Sequence, residues 1–338
     1  MIHISMILFF ILIILGLILS FLSKRAYGVF SKDKITPFRG ILALFIILHH
    51  IYLYGHYPAL SEFKSWGAIA VSIFLFVSGY GLNKSYLLKG TAYLSDFLKK
   101  RIFNSILLPY LIILCFQVLT LLISGEQITL PGILKNNGER WFIVAIVYLY
   151  MVFYLSAQNG GKYRLLIICL AALLYVLFTV WLELGRCWYI SIWGFIAGCM
   201  YAEKESEIMR RFNDTPLLCL LVIPLLMGLV VAFYYIGTKL PSSLLISYSA
   251  IYFIIPLLFA IIIVRLNTSC LRESQILSFL SNISYEMYLS HGLVILLLGR
   301  FDTIAANGTL FIILTLILSI GYASIAKFIC DKILFTRK

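Results

Sequence analysis

Residues 37–52, PFRGILALFIILHHIY, form an apolar run that contains one arginine and two adjacent histidines. Eleven residues of α-helix turn through about 1100°, so Arg39 and His50 lie only ~20° apart on one face and about 16 Å apart along the axis. Such side chains are unfavourable in hydrocarbon and indicate a functional site in a membrane helix. The alternatives are a flanking arginine that snorkels and a histidine that only packs. His49 points about 80° away from Arg39 and is the weaker candidate.

The whole chain has the composition of a polytopic membrane protein. Of its 338 residues, 62% are hydrophobic and only 12% are charged, and the mean hydropathy is +1.01. A soluble protein of this length needs a far more polar surface. The sequence therefore predicts an all-α transmembrane bundle of eleven spans, near residues 4–22, 36–54, 66–83, 102–123, 141–157, 164–182, 187–201, 216–236, 244–264, 276–298 and 309–327.

These spans predict two regions in the chain. Residues 1–34 hold an N-terminal transmembrane helix with a cytoplasmic linker, and residues 35–338 form one membrane domain. The first span lacks a basic segment before it and is followed by Lys24 and Arg25. That arrangement is typical of a retained helix and not of a cleaved signal peptide.

The net charge is +13, and the distribution of the positive residues indicates a membrane topology and not nucleic-acid binding. If the N-terminus is outside, 21 of the 27 lysines and arginines fall in cytoplasmic segments. This bias follows the positive-inside rule, and it predicts a multi-pass cell-membrane protein with a cytoplasmic C-terminus. The seven cysteines form no CxxC pair, so neither a structural metal site nor a disulfide framework is expected.

Two further segments each leave two interpretations open. The small residues at 78–81, SGYG, permit either close helix packing or close approach of a ligand to the backbone. Lys99, Lys100 and Arg101 form either an ordinary cytoplasmic flank or a basic mouth that binds phosphate groups. The other cations of that predicted mouth are Lys84, Lys89 and Arg39.

The tenth predicted span carries polar groups on one face. Ser284, Tyr288 and His291 lie within about 60° of one another, which is typical of a helix that faces a polar cavity or of interhelical hydrogen bonding. Ser284 is expected near the depth of His50. Glu286 lies on another face and is unfavourable at this depth unless it is paired.

The outer connections contain Trp141, Glu183 and Trp188. Aromatic residues at a membrane boundary usually anchor the protein in the interface. The alternative is that these residues line an outer vestibule for a polar acceptor such as a sugar.

Four segments, in this order, resemble the acyltransferase 3 family of integral-membrane enzymes that modify surface glycans. The resemblance covers residues 35 to 330. The matching positions are Arg39 and His50; Val71, Phe74, Leu75, Ser78 and Gly79; Lys99 to Arg101 with Pro109 and Tyr110; and Ser284, Tyr285, Tyr288, Leu289 and His291. The chain departs from the family pattern where Ser72 replaces a frequent acidic residue, and where Asn104 and Ser105 replace a second arginine.

The resemblance implies about ten core helices, with the span at 4–22 as an addition. It also implies transfer of an acyl group, commonly acetyl, from acyl-CoA to a carbohydrate hydroxyl, with His50 as general base or acyl relay. The predicted catalytic residues are His50, Arg39, Tyr285, Tyr288 and Ser78. The predicted donor-binding residues are Arg39, Lys99, Lys100, Arg101 and Ser284. The predicted acceptor-binding residues are Trp141, Glu183, Trp188 and His291.

The expected partners are acyl-CoA, a carbohydrate or lipid-linked glycan acceptor, and the bilayer. No bound cofactor, metal or nucleic acid is expected, and a homo-oligomer stays open. A transporter or flippase for an envelope glycan precursor is the alternative function. It predicts matched, interrupted helices in two halves, which the sequence does not show. The acceptor and the acyl chain (acetyl, succinyl or longer) stay open.

Overall fold

The computed structural model describes residues 30–123, 140–158, 161–265, 271 and 273–335. These residues are almost entirely helical and contain no strand, which confirms the predicted all-α bundle. The helices are α1 (Lys32–Gly55), α2 (Trp66–Lys89), α3 (Leu108–Ile123), α4 (Arg140–Gln158), α5 (Arg164–Trp181), α6 (Trp193–Asp214), α7 (Pro216–Lys239), α8 (Leu244–Arg265), α9 (Gln275–Asn282), α10 (Ser284–Leu298), α11 (Asp302–Ala305) and α12 (Gly308–Phe335).

Eight segments of the described part are long and apolar enough to cross a membrane. They are Asp33–Gly55, Pro58–Leu94, Leu98–Ile123, Arg140–Gln158, Arg164–Trp181, Leu221–Lys239, Leu244–Val264 and Gly308–Phe335. Helix α10 is apolar but shorter. The span predicted at 4–22 lies outside the described residues.

The seventh span, predicted at 187–201, takes a different form. Residues Arg186–Trp188 form a 3₁₀ turn, and α6 begins only at Trp193 and continues to Asp214. Glu183 adopts a positive φ of 55° just before this turn, in the left-handed region that ends regular helix. The apolar composition of residues 187–201 had predicted one continuous span here.

The tenth predicted span is interrupted. Helix α9 ends at Asn282 and α10 begins at Ser284. Ser284 Oγ donates to the carbonyl oxygen of Ser281 at 2.9 Å. Serine side chains compete with backbone hydrogen bonds in this way, which explains a break that hydropathy does not show.

A π-helix over Leu98–Leu107 precedes α3 where the sequence predicted ordinary α-helix from residue 102. Its bonds span five residues, as from Leu108 N–H to the Phe103 carbonyl. Ser105 Oγ also donates to the Lys100 carbonyl at 2.7 Å. Pro109 has no N–H for the carbonyl four residues earlier, so the turn before it is free to widen.

The chain divides into two compact units. Of the described residues, the first unit contains those within 30–37, 68–91 and 161–275, and the second contains those within 38–67, 92–158 and 276–335. In the first unit α8 packs against α6 and α7, and α5 packs against α6. In the second unit α10 packs against α12, and α3 contacts both of them.

Glycines allow α2 and α6 to pack closely in the first unit. A Cβ atom added to Gly79 would collide with the Phe195 carbonyl, and one added to Gly198 would lie 2.8 Å from the Tyr80 backbone nitrogen. Gly194 meets the Ser72 carbonyl in the same way. The close helix packing suggested by residues 78–81 is thus present at Gly79.

Glu205 on α6 is the centre of a buried polar network in the first unit and is only 1% exposed. Its carboxylate accepts hydrogen bonds from Phe30 N–H at 2.8 Å and from Tyr80 Oη at 3.0 Å. Lys84 Nζ forms a 2.6 Å ion pair with it. Lys84 is therefore paired with a carboxylate and not free for phosphate, contrary to its predicted place in a basic mouth.

Replacement of Glu205 with alanine should destabilise the first unit strongly. The change leaves Lys84 Nζ and the Phe30 N–H without their buried acceptor, and loss of one partner of a buried ion pair typically costs about 3–5 kcal/mol. Thermal unfolding of the purified protein in detergent measures this as a lowered Tm. Glu207→Ala, which removes an exposed pair with Arg211 on the same helix, is the matched control and should leave Tm nearly unchanged. Equal Tm values for both variants would contradict the prediction.

Candidate active site

Two imidazoles from distant parts of the chain meet in the second unit. The ring centroids of His50 on α1 and His291 on α10 are 4.6 Å apart. His50 is half-buried, whereas His291 is fully buried. The histidine predicted as the base thus lies against one that was predicted to bind the acceptor.

Each of these rings is fixed by a backbone carbonyl of its own helix. The His50 Nδ1–H donates to the Ile46 carbonyl at 2.9 Å, and the His291 Nδ1–H donates to the Tyr288 carbonyl at 2.6 Å. A carbonyl oxygen can only accept, so Nδ1 carries the hydrogen in both rings. In the neutral imidazole the basic atom is then Nε2. Ile46 therefore orients His50, a role that the sequence left unassigned.

Aromatic side chains extend from this histidine pair. The Tyr288 ring lies 5.8 Å from that of His291, and Phe142 packs edge-on against Tyr288 at 4.8 Å. Trp141 follows, with its ring 5.9 Å from Phe142. Trp141 is half-buried, and its predicted contact with the acceptor stays a prediction.

His49 has a structural place beside the pair. Its ring centroid lies 5.0 Å from that of His50, and its Nδ1–H donates to the Phe63 carbonyl at 3.1 Å. A Cβ atom on Gly67 would collide with the His49 ring, so the glycine makes room for the imidazole. His49 thereby fastens the Pro58–Ser65 turn to α1.

The Arg39 end of α1 is joined to the break between α9 and α10. The Gly40 N–H donates to Ser281 Oγ at 3.1 Å, and a Cβ atom on Gly40 would lie 2.7 Å from Leu280 Cβ. Ser284, predicted to bind the donor, is fully buried, and its hydroxyl bonds the Ser281 carbonyl. The donor-binding role of Ser284 stays a prediction.

Glu286 is 5% exposed, and cations offset its charge. Arg39 and Lys327 both interact electrostatically with its carboxylate. Lys327 Nζ also forms a 2.9 Å ion pair with Asp331. The sequence indicated that Glu286 needs a partner, but it did not identify Lys327. Lys327 has the position of an ordinary flanking residue at the end of the last predicted span.

The cations of the π-helix are exposed. Lys100 Nζ pairs with Asp96 at 2.9 Å, and this hydrogen bond holds the pKa of the Asp96 carboxyl below its ordinary value. The Arg101 guanidinium lies over the Tyr93 ring, 5.5 Å from its centroid. Lys99, Lys100 and Arg101 are accessible to an anionic ligand, and their donor-binding role stays a prediction.

Tyr285 connects α10 with the π-helix. Its hydroxyl donates to the Ile106 carbonyl at 3.1 Å. Tyr288, one turn later, is 5% exposed. The structure thus places both predicted catalytic tyrosines in the second unit with His50.

Three predicted site residues belong to the first unit. Ser78 is half-buried next to Gly79 on α2, Glu183 is exposed, and Trp188 is half-buried in the 3₁₀ turn before α6. Their roles toward an oxyanion or an acceptor stay predictions.

The model of one protein family, described as an acyltransferase domain, matches residues 32–326. The chain belongs to the acyltransferase 3 family. It is accordingly a transferase by family and a multi-pass membrane protein by its helices. No curated protein and no solved structure matches it. The acyltransferase 3 match begins at the first residue of α1 and includes Arg39, the histidine pair and the π-helix.

Proposed function

We propose that this protein is a membrane-bound O-acyltransferase that moves an acyl group from acyl-CoA to a hydroxyl of a cell-surface carbohydrate or glycolipid. Acetyl is the acyl group we expect. The observation that carries the proposal is the orientation of His50: its Nδ1–H is held by Ile46, so that Nε2 is the free base, and its ring lies against buried His291. Membership of an acyltransferase family supports the reaction type.

The donor is proposed to bind through its phosphates to the exposed cations of the π-helix and to Arg39. Arginine and lysine form strong charge-assisted hydrogen bonds with phosphate oxygens. In support, Glu286 interacts electrostatically with Arg39, and the N–H of the next residue, Gly40, donates to Ser281 Oγ. The pantetheine arm would then run along α1 toward His50.

His50 would remove the proton from the acceptor hydroxyl as its oxygen attacks the thioester carbonyl. Tyr285 or Tyr288 would donate a hydrogen bond to the oxyanion that forms. Transfer through a covalent acyl-histidine at the same Nε2 is the second route. The proposed setting is the inner membrane of a bacterial envelope, with the N-terminus outside and the C-terminus in the cytoplasm.

Binding of labelled acetyl-CoA to the purified protein tests the donor and separates a transferase from a transporter. We expect Arg39→Ala to weaken binding about 10- to 100-fold, because a charge-assisted hydrogen bond contributes about 1.5–3 kcal/mol. Equilibrium binding in detergent, followed by mass analysis of glycan from cells with and without the gene, measures donor affinity and acyl transfer.

Arg210→Ala is the control for this measurement. Arg210 is an exposed arginine on α6, and we expect its variant to bind acetyl-CoA like the wild type. Equal affinity of Arg39→Ala and Arg210→Ala would remove Arg39 from the donor site. Wild-type protein that neither binds acetyl-CoA nor changes the glycan mass would refute the proposed function.

A further inference from the structure

The histidine pair contains one half-buried imidazole, that of His50, and one fully buried imidazole, that of His291. His50 is half-buried, while His291 is 0% exposed and lies directly behind it, with 4.6 Å between the ring centroids. Both rings have their Nδ1–H fixed on a carbonyl, so each has Nε2 as its basic atom. Protonation of both imidazoles would place two positive charges next to each other, and these charges repel. Two imidazoles in contact can therefore hold a single proton between them.

We propose that His291 is the proton-sharing partner of His50 in the acyl transfer proposed above, on which this inference rests. His291 does not touch the substrate. It is a positioning residue that acts through His50 and stores the proton between the two halves of the reaction.

The proton balance of the reaction is complete within this pair. The O–H bond of the acceptor breaks and its proton goes to His50 Nε2, while the acceptor oxygen forms a bond with the thioester carbon. The proton then passes to His291. When the C–S bond breaks, the proton returns through His50 to the CoA sulfur. The products are the ester and the free thiol, and both imidazoles end neutral.

The surroundings of the pair add few competing titratable groups. His49 lies 5.0 Å from His50 on the same helix, and Tyr288 lies 5.8 Å from His291 on α10. From the other packed helices, Phe142 on α4 contacts Tyr288, and the Ser319 carbonyl on α12 accepts from Ser290 Oγ at 3.3 Å.

The kinetic test uses His291→Gln, and His291→Phe as a second variant that keeps the ring volume. Both should bind labelled acetyl-CoA like the wild type and lose about 100-fold in kcat, with little change in KM. The acidic limb of the kcat profile should move to a different pH, because His50 then titrates without the imidazole to which it is coupled. A kcat near that of the wild type would show that His291 only packs. A lower kcat with the acidic limb at the wild-type pH would show the same.

A second measurement does not depend on acyl transfer. The chain has five histidines, so ¹⁵N-histidine labelling gives a small set of ring signals. We expect the His50 and His291 signals of the wild type to titrate together, and the His291 midpoint to change by about one pH unit in His50→Ala. An unchanged His291 titration in that variant overturns the proton-sharing pair. Coupled titration in a wild-type protein that transfers no acyl group would instead refute the proposed reaction and leave the pair standing.

Discussion

His50→Ala should fold, bind labelled acetyl-CoA and lose about 10²- to 10⁴-fold in the rate of acyl transfer. The change removes the Nε2 base, and a positioned general base contributes a factor of that size. It leaves the Gly40–Ser281 bond and the Arg39–Glu286 interaction in place. The measurement is single-turnover transfer of labelled acetyl to glycan acceptor by protein in lipid vesicles.

His56→Asn is the matched control for this experiment. His56 is exposed at the end of the same helix and has a positive φ of 49°, which asparagine also adopts readily. We expect the control to transfer acetyl at the wild-type rate. Full activity in a folded His50→Ala protein would remove both the general base and the acyl-histidine from the mechanism.

Gly198→Ala should lower the stability of the first unit. A Cβ atom there would lie 2.8 Å from Tyr80 N and would also collide with the Phe76 carbonyl, so α2 and α6 would have to separate. Overpacking of this kind costs about 1–3 kcal/mol, and a backbone neighbour cannot move aside as a side chain does. Val or Leu at position 198 should prevent folding. Size-exclusion chromatography and thermal unfolding in detergent measure both outcomes.

Gly81 provides the comparison for Gly198. It lies on α2, two residues beyond Gly79, and no atom comes within 4 Å of an added Cβ. Gly81→Ala should therefore keep the wild-type Tm or raise it slightly, because alanine has the higher helix propensity. A Gly198→Ala protein as stable as Gly81→Ala would mean that the two helices do not cross as closely as described.

Hydropathy predicted most of the fold because transmembrane helices satisfy their own backbone hydrogen bonds, so length and polarity are enough to recognise them. The helix that carries Arg39 and His50 was predicted on this basis and is confirmed. The break at Ile283 was missed because it depends on a serine side chain that bonds the backbone. The π-helix before Pro109 was missed because its residues are as polar as any cytoplasmic helix end.

The site was predictable only in part. Arg39 and His50 share one helix, so their spacing alone placed them on one face. The contact between His50 and His291 joins residues 241 positions apart, and only the packing of α1 and α10 creates it. The pairing of Lys84 with Glu205 likewise depends on the packing of α6 and could not be read from the sequence, which left a flank and a basic mouth open for this cation.

The five-residue hydrogen bonding of residues 98–107 has a consequence for comparisons with related chains. A π-helix contains one more residue in each affected turn than an α-helix, so it behaves like an insertion that leaves the ends of the segment in place. Ser105 Oγ bonds the carbonyl of Lys100 five residues earlier, whereas such neighbours are four residues apart in a regular α-helix. In a relative whose segment is a regular α-helix, the basic side chains would point in a different direction around the helix axis. A sequence alignment with such a relative therefore needs a gap in this segment before the cations of the two chains can be compared.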